Sequence, residues 1–296
     1  MTDLSSWLCR LADAVLRAPP ARWVLGAPAL GDRRSLDAYL EWELRHAGLS
    51  WRCFEPYDGL EGKRVLDVGC GLGGKAMYCA LNGAAHVTAI DADAVRIETA
   101  RAFAGRMGIG NITFDVGDAA RLPYDAGRFD LVVFNDSFEH VGNPAGALGE
   151  SCRVLCDGGI ACIVFPPYGS PWGAHLFAHI RVPWAQFLFP EATLVALWRR
   201  RQAEARVCEV GGCLGRELSA TEGSGVRDLL HLNKMTIDEF ERLVGATSFQ
   251  TLLFRLDMVG RRLRLPACLR PFREYIVTRL VAVLRKDGEK GVAPCQ

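Results

Sequence analysis

A cluster of glycines directly after a short apolar run is the feature that most constrains how this chain can fold. The run Val65–Val68 is typical of a buried strand, and Gly69, Gly71, Gly73 and Gly74 follow it before a helical pattern begins. Glycine tolerates positive φ and allows the backbone to approach a ligand closely. The pattern therefore predicts a strand, a tight ligand-binding turn and a helix, in that order.

Strand and helix patterns alternate along the middle of the chain. The predicted strands are Arg64–Val68, Val87–Ile90, Ile112–Phe114, Phe129–Phe134 and Ile160–Phe165, and the predicted helices are Asp93–Met107 and Pro144–Leu155. Continuous apolar strands separated by helices predict a parallel sheet that is covered on both faces. Further on, we expect a helix at Thr236–Val244 and strands at Phe249–Phe254 and Tyr275–Leu284.

Charge and hydropathy narrow the class of protein. The 35 Lys and Arg residues nearly balance the 34 Asp and Glu residues, which argues against a nucleic-acid partner held by bulk positive charge. No apolar run approaches the roughly 20 residues of a transmembrane helix, and charges interrupt any N-terminal signal. Eleven cysteines without a signal indicate free thiols in a reducing compartment, so we expect a cytoplasmic protein.

Acidic residues at the ends of successive strands bear on what the glycine turn binds. Asp67 lies two residues before Gly69, Asp91 closes the second strand, and Asp118 follows the third. A carboxylate at Asp67 repels a pyrophosphate and attracts a cationic ligand. Asp91 stands where a ribose-binding acid belongs for either ligand. Since the glycines also fit the dinucleotide pattern G-x-G-x-x-G, a nicotinamide oxidoreductase is the alternative hypothesis.

Four spaced elements together resemble the class I S-adenosylmethionine-dependent methyltransferases, particularly their small-molecule branch. They are the D-x-G-C-G-x-G stretch from Asp67, then Asp91, then Gly117–Tyr124, then Phe129-Asp130. The resemblance covers about residues 60–166. It implies an α/β, Rossmann-like fold with a seven-stranded, mostly parallel sheet and helices on both faces. It also implies S-adenosylmethionine as cofactor and S-adenosylhomocysteine as product.

The resemblance implies roles for individual residues. Asp67 would hold the amino end of the cofactor, Asp91 both ribose hydroxyls, and Asp118 the adenine amino group. The glycines would pack against the methionine part, with Ala92 and Ala119 near the adenine and Asn135 facing the sulfonium. The expected cofactor-binding residues are Asp67, Gly69, Cys70, Gly71, Gly73, Asp91, Ala92, Asp118, Ala119 and Asn135.

We divide the chain into four predicted parts. Residues 1–58 form an N-terminal helical lid, with helices near 1–18 and 35–47, and residues 59–166 form the cofactor-binding core. Residues 167–231 form a cap inserted after the fifth strand. Residues 232–296 complete the core.

The candidates for the acceptor site follow the fourth and fifth strands. His175 and His179 would share one helix face at i, i+4 spacing, and either could serve as a base. His140 is a third catalytic candidate, on the ligand edge of the sheet. The expected substrate-binding residues are Tyr168, Trp172 and Trp184, an aromatic wall for a planar acceptor. No third ligand accompanies the histidine pair, so we expect no metal site.

The apolar stretch Val182–Trp198 has three interpretations. It would line the acceptor pocket, form a protomer contact in a homodimer, or rest on a membrane surface, although Pro190 interrupts any single long helix. The favoured function is methyl transfer to an O, N or C atom of an aromatic or apolar small molecule. A non-catalytic interaction module is a further alternative. A macromolecular methyltransferase that acts on amide or base nitrogens is disfavoured, because residues 134–137 lack an Asn-Pro-Pro-Tyr signature.

Overall fold

The computed structural model describes residue 7 and residues 35–173, 176, 180, 182–197, 232–258 and 267–287. The strands are β1 Arg64–Val68, β2 His86–Asp91, β3 Ile112–Val116, β4 Phe129–Asn135, β5 Leu155–Phe165, β6 Phe249–Met258 and β7 Val277–Lys286. They form one seven-stranded sheet in the order β3-β2-β1-β4-β5-β7-β6. The predicted seven-stranded α/β fold is confirmed.

The helices follow the predicted alternation. They are α1 Leu36–Trp51, α2 Gly74–Leu81, α3 Ala94–Arg106, α4 Pro144–Val154, α5 Ala185–Leu188, α6 Ile237–Gly245 and α7 Arg273–Ile276, with 3-10 turns at Arg52–Phe54, Phe138–His140 and Ala267–Phe272. Two of them begin at capping residues. Asp93 accepts hydrogen bonds from the backbone of Val95 and Arg96, and Asn143 accepts one from Gly146. Such caps satisfy backbone donors that the first helical turn leaves unpaired.

Parallel pairing brings the functional loops to one edge of the sheet. β1 pairs in parallel with β2 and with β4, so that Asp67 has Ala89 on one side and Val133 on the other. β2 pairs with β3 and β4 with β5 in the same sense. The carboxyl ends of β1, β2 and β4 therefore meet, and this is where open parallel sheets bind ligands.

Consecutive buried residues show that both faces of the central strands are covered. In β1, Val65 to Val68 are all buried, although their side chains alternate between the two faces. At the end of β4, Phe138 packs against Phe134, Phe165 and Phe240 with ring centroids 5.3, 5.7 and 5.4 Å away. This aromatic cluster fixes the turn that leads from β4 towards the ligand edge.

Some element boundaries differ from the sequence-based expectation. β5 begins at Leu155, five residues before the predicted Ile160, and so includes Gly158 and Gly159. Gly158 has φ +74°, and the pairing of β5 with β4 shifts register after Phe129. The strand therefore contains an irregularity near this glycine pair. α1 continues to Trp51, and the last strand starts at Val277 after a short helix.

The chain divides into two compact units. The sheet unit comprises residues 37–165, 239–255 and 281–296, and the second unit comprises residues 1–36, 166–238 and 256–280. The predicted N-terminal helix lies outside the described residues apart from position 7, as does the insertion from 198 to 231. In the described part of the chain, no helix has both the length and the apolar character that crossing a bilayer requires.

Candidate functional site

The glycine turn after β1 has the backbone conformation that its sequence predicts. Gly69, Gly71 and Gly73 have φ of +72°, +57° and +81°, which L side chains rarely adopt. The backbone N–H groups of Gly69 and Cys70 donate to the carbonyl oxygen of Ile90 at 2.8 and 3.1 Å. The turn is therefore tied to the end of β2, next to Asp91.

The three glycines meet different surroundings. A Cβ on Gly69 would lie 2.5 Å from Cβ of Ser137, and one on Gly73 would lie 2.7 Å from the ring of Phe114. At Gly71 the nearest atom, Nη1 of Arg96, would be 3.9 Å away. Two glycines thus allow the loop to pack against the protein, whereas Gly71 leaves space beside the backbone that a ligand can occupy.

Asp91 is held in place by the loop that it faces. Its Oδ2 accepts a hydrogen bond from the backbone of Gly71 and its Oδ1 accepts one from Asp93, both at 2.9 Å. Each carboxylate oxygen has two lone pairs, so each retains one acceptor position. The half-buried carboxylate is thereby oriented and can still accept one hydrogen bond on each oxygen, as two neighbouring hydroxyl groups require.

Asp67 lies beneath the loop and is almost fully buried, with 4% of its surface exposed. Its Oδ2 accepts no hydrogen bond from any residue that the structure describes. Burial raises the pKa of Asp67 to about 7, Lys75 opposes this shift, and Glu43 and Asp91 add to it. A buried carboxyl group with an unused acceptor is costly unless a ligand satisfies it.

Lys75, one residue into α2, joins the glycine turn to the end of β4. Its Nζ donates to the backbone oxygen and to Oδ1 of Asn135, each at 2.9 Å, and to Oδ2 of Asp136 at 3.0 Å. Burial alone lowers the pKa of Lys75, but the carboxylates of Asp136 and Glu43 more than offset this, and the pKa is raised. The charged ammonium group of Lys75 therefore connects α2 to the end of β4 through hydrogen bonds.

These bonds determine which atoms of the β4 turn are free for a ligand. Asp136, at φ +57°, adopts a backbone conformation that is unusual for a non-glycine residue. Asn135 is buried, with Oδ1 used by Lys75, while its Nδ2 donates to no residue that the structure describes. Within this turn, Ser137 donates from Oγ to the backbone oxygen of Val68 at 2.6 Å and so anchors β4 to β1.

Glu43, on α1, adds a carboxyl group to those of Asp67, Asp91 and Asp136. It was not among the residues predicted from the sequence. It lies against Gly74, the first residue of α2, since a Cβ on Gly74 would lie 2.6 Å from its Oε2. Burial raises the pKa of Glu43, against the attraction of Lys75. In the part of the chain that the structure describes, Oε2 itself has no hydrogen-bond partner.

The remaining predicted residues of this site have simpler surroundings. Asp118 is exposed, and its Oδ1 accepts a hydrogen bond from the backbone of Ala120 at 2.9 Å. Ala92 is exposed and Ala119 half-buried. Cys70 is buried, and burial together with the neighbouring carboxylates raises the pKa of its thiol well above the usual value.

Among the candidates for the acceptor site, the structure describes His140 and the three aromatic residues. His140 is exposed at the end of the 3-10 turn after β4, where its backbone N–H donates to Ser137 at 3.0 Å. His175 and His179 lie outside the described residues. The aromatic candidates belong to the second unit, where Tyr168 and Trp172 are half-buried and Trp184 is 37% exposed. Among the described residues, no group of three metal-ligating side chains comes together.

The sequence signals for Lys75 and Glu43 were weak. Lys75 directly follows the glycines, but a lysine one residue into a helix is ordinarily solvated. Its contact with Asn135 spans 60 residues and depends on β1 and β4 being neighbours. Glu43 lies before the region of resemblance, and only the packing of α1 brings it to the loop.

Comparison with known proteins assigns the family of this region. Residues 60–178 match a family described as a methyltransferase domain. They form a methyltransferase domain. The match includes the glycine turn, Asp91 and the β4 turn, so the site described above is the ligand edge of that domain.

Several curated methyltransferases are similar to the methyltransferase domain. A norajmaline N-methyltransferase of Rauvolfia serpentina is 35% identical over 32% of this chain and 33% of its own length. A tocopherol O-methyltransferase of Arabidopsis thaliana is 32% identical over 45% and 38%. A ubiquinone biosynthesis O-methyltransferase of Alkalilimnicola ehrlichii is 33% identical over 46% and 53%. The chain thus spans about half of these relatives or less.

Solved structures support the fold across most of the chain. An S-adenosylmethionine-dependent methyltransferase from Mesorhizobium loti superposes with a TM-score of 0.51 over 85% of this chain and 100% of its own, at 16% identity. A protein from Pyrococcus horikoshii superposes with a TM-score of 0.52 over 88% and 96%, at 18% identity. The chain therefore has the fold of the class I S-adenosylmethionine-dependent methyltransferases.

Proposed function

We propose that this protein is an S-adenosylmethionine-dependent methyltransferase that acts on a small molecule. The cofactor, when bound, supplies a methyl group already activated on a positively charged sulfur. The protein then has to hold the donor, align the acceptor with it and exclude water. The methyltransferase domain contains the residues for the first of these tasks, and the relatives act on small molecules according to their names.

The observation that carries this proposal is the sign of the charge around the glycine turn. A dinucleotide places its pyrophosphate at the N-terminus of the helix after such a turn. Here the carboxyl group of Glu43 lies against Gly74, the first residue of that helix, and Asp67 lies buried beside it. A second anion would be repelled, whereas the ammonium and sulfonium groups of S-adenosylmethionine are attracted.

The described residues fit this cofactor in three places. Asp67 has a buried, unused acceptor for the ammonium group, and Asp91 retains one acceptor position on each oxygen for the ribose hydroxyls. Gly71 leaves open space beside the loop. We assign Asp118 and Ala119 to the adenine, as the resemblance implies. Asn135 lies at the turn after β4, where its Nδ2 is available to a ligand.

The residues of the acceptor site are assigned by their positions in the sequence. We assign the general base, where the acceptor needs one, to His175, with His179 and His140 as the other candidates. Tyr168, Trp172 and Trp184 are proposed to contact a planar or apolar acceptor. From the sequence we also propose that the protein is cytoplasmic and forms a homodimer.

Calorimetry with two competing ligands tests the proposed cofactor. We expect S-adenosylhomocysteine to bind the full chain with micromolar affinity and NADH to give no heat at the same concentrations. Binding of NADH with the higher affinity would contradict the proposal. Incubation with methyl-labelled cofactor and a panel of phenols, amines and quinols then tests transfer, and cofactor binding without transfer to any acceptor would favour the non-catalytic alternative.

A further inference from the structure

The buried face of α1 includes a charged residue. Leu40, Ala47 and Trp51 are buried, and their spacings of seven and four residues place them on one face of the helix. Glu43 belongs to the same face, three residues after Leu40 and four before Ala47. An apolar residue is expected at such a position, because a buried carboxyl group is costly unless a partner satisfies it.

The packing of α1 against the helices that follow it fixes where Glu43 lies. Near the start of α1, Asp37 pairs with Arg106 at the end of α3, with 2.6 Å between Oδ1 and Nη2. At the end of α1, the ring of Trp51 lies 6.5 Å from the ring of Tyr78 on α2. Glu43 lies between these two contacts, so the packing of the whole helix brings its carboxyl group to the glycine turn.

The glycine at position 74 makes room for this carboxyl group. Gly69, Gly71 and Gly73 have positive φ, whereas Gly74 is the first residue of α2 and has no such φ. The backbone conformation therefore does not require a glycine at this position. A Cβ on Gly74 would lie 2.6, 2.7 and 2.8 Å from Oε2, Cγ and Cδ of Glu43. The missing side chain of Gly74 thus allows Glu43 to approach.

Lys75 does not satisfy the carboxyl oxygens of this region. An ammonium group has three N–H donors, and those of Lys75 bond to the backbone oxygen and Oδ1 of Asn135 and to Oδ2 of Asp136. The charge of Lys75 lowers the pKa of both Glu43 and Asp67, but its donors are used elsewhere. Among the described residues, Oε2 of Glu43 and Oδ2 of Asp67 remain buried acceptors without a donor.

Two buried acceptors beside one turn fit a single cation that has several donors. The charge of Glu43 raises the pKa of Asp67, so the two carboxyl groups are near enough to interact. We propose that Glu43 binds the ammonium group of S-adenosylmethionine together with Asp67, which makes α1 part of the cofactor site. This inference rests on the cofactor proposed above. The family match begins at residue 60, so Glu43 lies outside the matched domain.

A purely structural role for Glu43 predicts a different result. A carboxylate beside the N-terminus of α2 would stabilise that helix through its partial positive charge, whatever ligand is bound. The proposed role instead depends on the amino group of the ligand. Two ligands therefore separate the roles, S-adenosylhomocysteine and its deaminated analogue, in which hydrogen replaces the amino group.

Calorimetry of the full chain at pH 8 measures both affinities. The variant Glu43→Gln keeps the size of the side chain and removes its charge. We expect it to bind S-adenosylhomocysteine about 30-fold more weakly and the deaminated analogue less than about twofold more weakly. The matched control is Glu41→Gln on the same helix, where the side chain is exposed and pairs with Arg45 at 3.6 Å. We expect this control to bind both ligands as the wild type does.

A second variant moves the carboxyl group without removing it. In Gly74→Ala, the added methyl group would displace the end of the Glu43 side chain, so we expect the same selective loss of affinity for S-adenosylhomocysteine. Alanine favours helix more than glycine does, so this variant should fold. Thermal denaturation without ligand measures the folding of each variant. If Glu43→Gln does not fold, the result with Gly74→Ala decides.

Four results would overturn the role of Glu43. They are wild-type affinity of both variants for S-adenosylhomocysteine, an equal loss for both ligands, equal binding of the two ligands to the wild type, and no binding of S-adenosylhomocysteine at all. The second result would indicate the structural role. With any of the first three, the wild type still binds S-adenosylhomocysteine and the proposed cofactor stands. The fourth would overturn the proposed cofactor as well.

Discussion

We expect the affinity for the cofactor to depend on pH, because we propose that the buried carboxyl group of Asp67 binds its ammonium group. The Asp67 pKa of about 7 means that, in the free protein, about one chain in eleven carries the carboxylate at pH 6 and about ten in eleven at pH 8. The ammonium group of the ligand needs the ionised form. We therefore expect S-adenosylhomocysteine to bind about tenfold more tightly at pH 8 than at pH 6, a difference of about 1.4 kcal/mol.

Calorimetry in buffers of different ionisation enthalpy measures the same effect, because it counts the protons that are released on binding. Binding at pH 6 should release about 0.9 proton per chain and binding at pH 8 about 0.1. The variant Asp67→Asn, which keeps the size of the side chain, should bind the ligand weakly. Its affinity should not change between pH 6 and 8, and its binding should release no proton. An affinity that is flat from pH 6 to 8, or a slope that survives in Asp67→Asn, would refute the assignment.

The stability of the ligand-free protein tests whether Asp67 is buried, independently of whether it contacts the ligand. Folding raises the pKa of Asp67 from 3.8 to about 7, so between these values the folded chain binds more protons than the unfolded chain. The contribution of Asp67 to the free energy of unfolding therefore falls as the pH rises from about 4 to about 7, by at most about 4 kcal/mol. Urea denaturation of the wild type and of Asp67→Asn measures it. If this slope appears while the affinity stays flat, Asp67 is buried but does not touch the ligand.

Other substitutions test the rest of the site. Asp91→Ala should weaken S-adenosylhomocysteine binding about 100-fold in calorimetry through the loss of two charged hydrogen bonds, and unchanged affinity would contradict its ribose role. Lys75→Met should lower the free energy of unfolding in urea by about 2 kcal/mol, since the neighbouring carboxylates lose their cation. In thermal denaturation, Gly69→Ala should prevent stable folding, whereas Gly71→Ala should cost only about 1 to 2 kcal/mol of backbone strain, and equal effects would contradict the loop geometry. His175→Ala should lower turnover about 100-fold without changing cofactor affinity, and an unaltered rate across pH would remove it as the base.

The approach of Glu43 to α2 shows why a methyltransferase fold can be distinguished here from a dinucleotide fold that shares its glycine pattern. Both kinds of protein begin with a strand, a glycine turn and a helix, so the glycines do not discriminate. The difference lies in the carboxyl groups that surround the helix N-terminus. Asp67 could be identified from the sequence, because it is adjacent to the turn, but Glu43 could not.

Local sequence patterns were sufficient to predict a structural feature wherever the residues that form it are close in sequence. The alternating strands and helices, the positive-φ glycines and the acids that end β1 and β2 were all predicted, because each depends on the period of the apolar residues or on a neighbouring turn. The start of β5 was predicted too late. Its pairing with β4 tolerates a shift in register, and a glycine pair within a strand looks like a turn to any local pattern.

The amino-acid sequence alone thus predicted the sheet, the glycine turn and the acidic residues beside that turn. Only the tertiary structure decided that Lys75 bonds to Asn135, that Glu43 lies against the first residue of α2, and that α5 and α7 are in contact. The physical reason is sequence separation. Apolar periodicity specifies how a segment buries one face, whereas the packing of whole elements decides which distant polar groups become partners after burial.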